Sequence, residues 1–566
     1  MLKTLSIPFF LLLFFSRICF SQVTGNSDKL RSIVLEKGQA EVSVPYTGIK
    51  PTDRLARNVS IRTIRNNKIY IVLSQPTVEW FISEGYNYSI IERGGTKGVR
   101  SSLDTKQAME WESYPSYTQY DSIMRSFASG YPALCRLDTI GTTIRGRLVM
   151  ALKISDDCGI EETEPKVFYT SSMHGDETGG YILMLMLADY LLKNYSTDAR
   201  VRNLVDNLEI WINPLANPDG TYNGSNFIIS PTRGNANGFD LNRNFPDPEI
   251  INVPRQKETT DMMRFLTKHR FSLSVNFHSG EEVVNYPWDR WSRLHADNDW
   301  YNSISRKYAD TVHLHSPKGY MDFLDNGITN GYVWYPVYGG RQDYVDYSLQ
   351  GREVTIELDT NYVAPADYLP KLWEYNRQSL IGYFENALYG IHGQVIDFDN
   401  NEPVPAKIFI NGHDKDNSHV YSDTVSGEFV RLLKPGLWDL TFSADRYKDT
   451  TITNVSVTDG EETRLTVKME HYLNPADTTD KALIYPDPGS TFINAVVPAN
   501  LRGGRVNIRI VNIGGMKVSD YDTDIPERDP VLIDISRFAA GSYVIVFTDK
   551  TKNLSSRTRF VISRRY

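Results

Sequence analysis

Lys166-Val167-Phe168-Tyr169-Thr170-Ser171-Ser172-Met173-His174-Gly175-Asp176-Glu177-Thr178 is the stretch on which the rest of the chain turns. It opens on an apolar, strand-like run, Lys166 to Thr170, and a long helical pattern follows from Tyr181 to Tyr195. His174 and Glu177 therefore lie at the C-terminal end of a strand, on the turn into a helix, where open α/β sheets build their ligand sites. A His and a Glu at this spacing converge on one metal ion when a third ligand arrives from elsewhere, with a position left for water. Read alone the pattern is weak, because a surface His and a carboxylate at a helix N-terminus give the same string.

Working outward, residues from about 106 to 390 alternate between strands and helices, the pattern of a three-layer α/β domain. A helix is expected from Ser116 to Gly130, then strands over 136–140, 149–154 and 208–213. The polar segment from Pro214 to Pro248 is too long for a simple connector and reads as functional. A helix over Glu258–Arg270 leads into a strand ending at His278, and the strand Val354-Thr355-Ile356 ends at Glu357. Three strands thus bring His174 with Glu177, His278 and Glu357 to their C-terminal ends. His174, Glu177 and His278 make a three-ligand zinc site with an open position, and Glu357 is a further carboxylate able to take a proton from water.

At this point the chain resembles the zinc carboxypeptidases, in the regulatory branch that includes carboxypeptidases D, E, M and N. The matching stretches are HGDE (174–177), NPDG (217–220), RGNANGFDLNRNFPD (233–247), NFHSGEEVVNYPWD (276–289), GITNGYVWYPVYGGRQD (327–343) and EVTIELD (353–359). The resemblance implies one zinc ion on His174, Glu177 and His278, with Glu357 as the general base that activates the attacking water. It implies Arg233 as the group that stabilises the oxyanion, as a fixed guanidinium can. Asn242 and Arg243 match the pair that binds the substrate's C-terminal carboxylate, and Tyr335 the mobile tyrosine that closes over it. Asp176, Asp240 and Asp247 are read as structural or orienting groups.

For specificity, Asp289 falls where basic-specific members carry an aspartate, and Gln342 on the glutamine that accompanies it. A carboxylate at the pocket floor favours a C-terminal Lys or Arg, and Glu281 and Glu282 add negative potential nearby. Two departures weigh the other way: Arg341 stands where a Met is usual, and Ser279 replaces a Gly. An inward-pointing Arg341 would oppose a cationic substrate and leave a neutral or broad preference.

The length of 566 residues fits about three to five domains. A net charge of −8 lacks the basic excess of a nucleic-acid binder, so no nucleic-acid partner is expected. Residues 1–21 read as a secretory signal peptide: Lys3, an apolar run from Leu5 to Phe15, and a cleavage site after Ser21. After processing, Cys135 and Cys158 remain; they flank an expected hairpin, and one disulfide or two buried thiols fit the sequence equally. Residues 22–105 read as a small α+β prodomain or accessory domain, with strands over 41–46 and 68–73, a short helix over 76–85, a Gly-rich linker at 94–98 and no catalytic group.

Beyond Gly390 the apolar period changes to two. Strands over 393–397, 406–410, 427–432 and 438–442 imply a β-sandwich at 391–470 that resembles the transthyretin-like domain of the same branch. Residues 471–566 hold a polar linker and a second sandwich resembling the C-terminal sorting domain of type IX secretion; a carbohydrate- or protein-binding module is its alternative. The expected architecture is α/β: a three-layer zinc carboxypeptidase domain (106–390) with a mixed central sheet, preceded by a small α+β domain and followed by two small β-sandwiches. The expected activity is hydrolysis of the C-terminal peptide bond of peptides or proteins, releasing Lys or Arg. The alternatives are a neutral or broad carboxypeptidase, an amidohydrolase of cell-wall peptides, and an inactive peptide-binding scaffold. The expected route is export through the periplasm by the type IX machinery, to the cell surface or the medium.

Overall fold

In chain order, β1 (Gln39–Pro45), β2 (Ser60–Arg65), β3 (Lys68–Ser74) and β4 (Ser89–Ile91) form an antiparallel sheet in the order β2-β3-β1-β4. A helix over 25–37 and the helices Ile49–Ala56 and Val78–Ser83 accompany it. The computed structural model describes residues 25–92, 98–250, 254–471, 481–486, 488–489, 491–526 and 530–563. The expected signal segment and most of the two expected linkers lie outside these residues.

Strand β2 was not expected from the sequence. Its string Ser-Ile-Arg-Thr-Ile-Arg has the alternation of a strand, but the two arginines give it the look of a solvated edge. Its pairing with β3 slips between Ile61 and Thr63, a bulge that carries Arg62 as the extra residue. The slip reverses the alternation. Ile61 and Ile64 turn to the domain's own apolar core, whereas Ser60, Arg62, Thr63 and Arg65 all face the next domain.

That next domain is built on an eight-stranded sheet: β5 (Cys135–Thr142), β6 (Leu148–Ile154), β7 (Lys166–Ser171), β8 (Glu209–Asn213), β9 (Leu273–His278), β10 (Glu282–Tyr286), β11 (Ile328–Asn330) and β12 (Glu353–Leu358), in the order β11-β10-β12-β9-β7-β8-β6-β5. The central strands β12, β9, β7 and β8 are parallel, and antiparallel pairs flank them, so the sheet is mixed. The parallel strands are buried on both faces and accordingly read as apolar runs rather than alternating ones.

Helices Tyr117–Gly130, Gly179–Asn194, Asn298–His315 and Leu369–Glu385 pack on one face around a core that includes Tyr169, Leu183 and Phe384. Helix Lys257–His269 covers the other with Met262, Phe265 and Leu266. The first of these helices starts where its chemistry directs: Ser116 and Gln119 form a reciprocal capping box. Cys135 and Cys158 are both buried free thiols, so the two-thiol reading holds; burial raises Cys135 to about 12.

Residues 390–471 form two facing sheets of three and four strands. Strand Gly390–Asp397 pairs in parallel with Glu462–Met469, so this sandwich is not wholly antiparallel. Its joint with the sheet domain is ionic and buried: Asp297 meets Arg352 at 2.7 Å, Arg431 at 2.8 Å and His413 at 2.8 Å. Asp297, His413 and Asp414 lie close enough to suggest a metal cluster, but the Arg352 and Arg431 guanidinium groups already pair with the two carboxylates. The last described residues form a second pair of sheets, again of three and four strands. Among the described residues, no helix is long and apolar enough to cross a membrane.

Candidate active site

Parallel strands β7, β9 and β12 stand side by side and deliver the expected groups at one edge of the sheet. His278 is the last residue of β9, and Glu357 is paired with it across the ladder on β12. Past β7 the chain turns sharply at Ser172, whose φ of 54° is left-handed and whose hydroxyl donates to the Glu177 carbonyl at 2.6 Å. The turn needs Gly175, because a Cβ there would lie 2.2 Å from the backbone of Gly220.

His174 Nδ1 and His278 Nδ1 lie 3.0 and 2.8 Å from the two oxygens of Glu177. All three side chains are buried, and their ligand atoms lie within 4.8 Å of one another. The other ring nitrogens are held from behind: His174 Nε2 by Asp240 at 2.9 Å, and His278 Nε2 by the Asn276 amide at 2.8 Å. With Nδ1 turned to the shared point, each Nε2 carries the proton; Asn276 has its Nδ2 against His278 Nε2 and its Oδ1 without a hydrogen bond among the described residues, so exchanging the two amide atoms lets Oδ1 accept that proton. Two neutral imidazoles and a carboxylate, so oriented, fit zinc. Burial pushes the Glu177 carboxyl up, but the two imidazoles outweigh it and hold the group well below the usual range. Burial likewise lowers His278 to about 4, against the pull of Glu177.

Asp240, expected to be only an orienting group, ties three functional residues together. Its Oδ1 receives the Asn242 amide at 2.8 Å beside His174, and its Oδ2 receives Arg233 Nε at 3.0 Å. Burial works against its charge, but Arg233 and His174 hold its carboxyl well below the usual range. Asn217 of the NPDG motif brackets two loops: its side chain caps Pro218–Tyr222 and donates to Met173 and Gly234 carbonyls at 3.1 and 3.2 Å. Arg233 reaches Glu177 at 2.8 Å. Glu357 is partly open to the cavity, its Oε2 has no hydrogen-bond partner among the described residues, and burial and then the Glu177 carboxylate push it well above the usual range.

Asp289 lines the same cavity and receives Asn285 at 3.0 Å and Gln342 at 3.1 Å. Burial raises its carboxyl to about 6. Gly331 must lack a side chain here, since a Cβ would fall 1.8 Å from Asp289 Oδ1. Arg341 does not enter the pocket. It is fully buried and grips Glu353 with bonds of 2.9 and 2.7 Å, while its backbone amide donates to Asn242 Oδ1 at 2.9 Å. Asp176 and Asp247 pair with Arg62 and Arg290, which fits their structural reading.

The N-terminal domain carries the residues that the sequence did not single out. Arg243 donates to the Ile61 carbonyl and Tyr335 to the Arg62 carbonyl, both at 3.1 Å. Ser60 Oγ accepts from Arg233 at 2.6 Å and contacts Asp240. The Arg62 guanidinium stacks 4.0 Å over the Tyr362 ring, pairs with Asp176, and lies 3.9 Å from Glu177. With β2 in place the cavity that holds the triad has a volume of about 30 Å³, room for little more than a water molecule. A larger cleft of about 910 Å³ lies alongside, between the N-terminal domain and loop 232–247; it reaches Arg233 and Arg243 but no residue of the triad.

Comparison with known proteins follows this geometry. Residues 120–379 match the zinc carboxypeptidase family, 390–470 a carboxypeptidase regulatory-like domain, and 483–563 a secretion system C-terminal sorting domain. The chain is 35% identical to human carboxypeptidase D over 378 residues, 64% of this chain and 27% of that protein, so it spans about a quarter of that relative's length. It is 34% identical to mouse carboxypeptidase M over 337 residues, 56% of this chain and 74% of that protein. Among solved structures it is similar to carboxypeptidase A from Helicoverpa armigera, with a TM-score of 0.49 and 17% identity over 62% of this chain and 97% of that one. On the identity and coverage shared with carboxypeptidase M, the chain belongs to the zinc carboxypeptidase family.

Proposed function

We propose that the protein is a zinc-dependent carboxypeptidase that removes a single C-terminal residue, Lys or Arg, from peptides or proteins. The observation that carries this reading is one cavity lined by His174, Glu177, His278, Arg233, Asn242, Arg243, Asp289, Tyr335 and Glu357. His174, Glu177 and His278 would hold the zinc ion, which when bound supplies a Lewis acid that polarises a carbonyl and lowers the pKa of water. Asn242 and Arg243 bind the terminal carboxylate, and Tyr335 closes over it. Glu357 takes the proton from the attacking water and passes it to the leaving amine. Arg233 meets the negative charge that develops on the carbonyl oxygen. Asp289, steadied by Asn285 and Gln342, receives the cationic side chain, and Arg341 does not oppose it because Glu353 holds it elsewhere.

Residues 22–105 act in this reading as a prodomain that keeps the cleft covered, since β2 occupies the contacts of Arg233, Arg243 and Tyr335. The sorting domain supports export by the type IX machinery to the surface or the medium. The test is hydrolysis of matched peptides ending in Arg or Phe, by the chain after cleavage within the 94–98 linker, with and without a zinc chelator. Chelator-sensitive release of Arg over Phe is expected, and Glu357→Gln should abolish turnover while metal analysis still finds one zinc. Preference for Phe would reject the Asp289 pocket, and an unchanged rate in Glu357→Gln would reject the mechanism.

A further inference from the structure

Strand β2 does more than cover the cleft; its path gives the cleft a direction. The Ile61 carbonyl rests on Arg243, the residue proposed to bind a terminal carboxylate. One residue on, Arg62 lies beside Glu177 and its carbonyl meets Tyr335. Thr63 then donates to Glu281 Oε1 at 2.9 Å, and Arg65 lies 3.3 Å from Glu281 Oε2. The sequence of contacts therefore runs from the carboxylate-binding end, past the triad, to Glu281. A peptide bound by its carboxylate at Arg243, with its last peptide bond at the triad, leads its upstream residues towards Glu281.

What waits there is a built receptor for a cation. Glu281 is 2% exposed and lines the same cavity as the triad. Among the described residues its Oε2 has no hydrogen bond and pairs with Arg65. The Arg65 guanidinium also lies 5.0 Å from the centre of the Phe323 ring. Carboxylate and ring both belong to the sheet domain, so both stay when β2 leaves. An anion and an aromatic face that meet the same guanidinium form an arrangement that selects a cationic side chain. The neighbouring carboxylate does not compete, because Glu282 is turned to the Met321 amide at 3.2 Å. Once β2 moves away, the Glu281 carboxylate loses both its Thr63 hydrogen bond and its Arg65 cation, and a cation on the substrate can take the place of Arg65.

We infer that Glu281, with Phe323, is a second specificity-determining subsite, which selects a Lys or Arg upstream of the scissile bond, and that Arg65 holds that place while the cleft is covered. The inference rests on the carboxypeptidase reading for the direction of the bound peptide. It extends the acidic selection from the terminal residue to a residue before it, through side chains other than Asp289. Because Arg65 is part-exposed, with 42% of its side chain open, the subsite lies at the rim of the cleft and its selectivity is modest, about tenfold in kcat/KM.

The test uses the full chain, zinc-loaded and cut at a specific-protease site placed in the 94–98 linker. Peptides ending in Arg carry Arg, Ala or Glu at each of the two preceding positions. At one of these positions Arg should exceed Ala by about tenfold, with Glu the poorest. Glu281→Gln should flatten that series, Glu281→Asp should restore part of it, and Phe323→Ala should reduce it. Asp289→Asn should spare the upstream series and remove only the preference for the terminal Arg. A flat series in the unmodified chain, or one unchanged by Glu281→Gln, overturns the inference. Calorimetric binding of the same peptides to Glu357→Gln separates the two readings. Tighter binding of the upstream-Arg peptide that disappears when Glu281→Gln is added supports the subsite even where no peptide is hydrolysed, and that outcome sinks the hydrolase instead. Equal binding of the Arg and Ala peptides rejects the subsite whatever the turnover.

Discussion

Replacing Arg62 with Ala should switch on the uncut chain. Arg62 is buried, pairs with Asp176, lies 3.6 Å from Glu41 and 3.9 Å from Glu177, and stacks on Tyr362. Removing one partner of a buried ion pair costs about 3–5 kcal/mol, because the other charge is left uncompensated. In the open form water reaches Asp176 and Glu177, so the cost falls almost wholly on the covered form. At about 1.4 kcal/mol per factor of ten, the open-to-covered ratio rises by roughly 140- to 3,700-fold. The kcat/KM of uncut Arg62→Ala on a peptide ending in Arg should therefore climb by that factor, or until it meets the rate of the chain cut in its linker. The assay compares initial rates, at substrate well below KM, for the unmodified chain and the variant, each cut and uncut. The two cut proteins should agree, since Arg62 takes no part in the reaction itself. If the uncut unmodified chain already matches its cut form, β2 does not restrain the site. If Arg62→Ala leaves a slow uncut chain slow, Arg62 is not what holds it.

The remaining expectations concern the pocket and its neighbours. Asp289→Asn should reduce the preference for Arg over Phe by about 10- to 100-fold, the loss of a charge-assisted bond to a buried partner, read as a ratio of kcat/KM values. Because burial raises Asp289 to about 6, its charged form prevails above that pH; the Arg-to-Phe ratio should fall as pH is lowered through about 6, and stay flat with pH in Asp289→Asn. Arg341→Met should leave the ratio unchanged but lower the unfolding free energy by about 3–5 kcal/mol in denaturant melts, because Glu353 is then buried without its partner. A shift in specificity without loss of stability would show that Arg341 faces the substrate after all.

How far the sequence revealed this site depends on how local each signal was. His174, Glu177, His278 and Glu357 could be placed because each sits at or just past the end of a strand with its own apolar pattern. Arg341 was harder only because it was read by its neighbour. Arg341 and Gln342 are adjacent on the helix Arg341–Ser348, and adjacent helical residues point about 100° apart. Gln342 can therefore serve Asp289 while Arg341 serves Glu353, the first residue of the EVTIELD motif that also carries Glu357. Asp240 looked like one structural aspartate among several; its reach to His174, Arg233 and Asn242 exists only once loop 232–247 has folded against the turn at Gly175.

Strand β2 lay furthest from the reach of sequence, for a reason that is itself physical. A strand that repeats every two residues can face only one way with each residue, and Ser-Ile-Arg-Thr-Ile-Arg in perfect register would turn Thr63 and Arg65 towards its own core. The bulge at Arg62 removes that conflict, and a bulge depends on the partner strand rather than on the string alone. Its result is a basic face, Arg62 and Arg65, laid along an acidic one, Asp176, Glu177 and Glu281. Neither face is comfortable alone: two guanidinium groups beside an apolar core and three carboxylates in one cleft each need counter-charge. Covering the cleft satisfies both within one chain. Uncovering it gives Asp176 and Glu177 to water and to Arg233, and leaves Glu281 without the cation that Arg65 supplied, so the cover is a guide to the substrate at that one position.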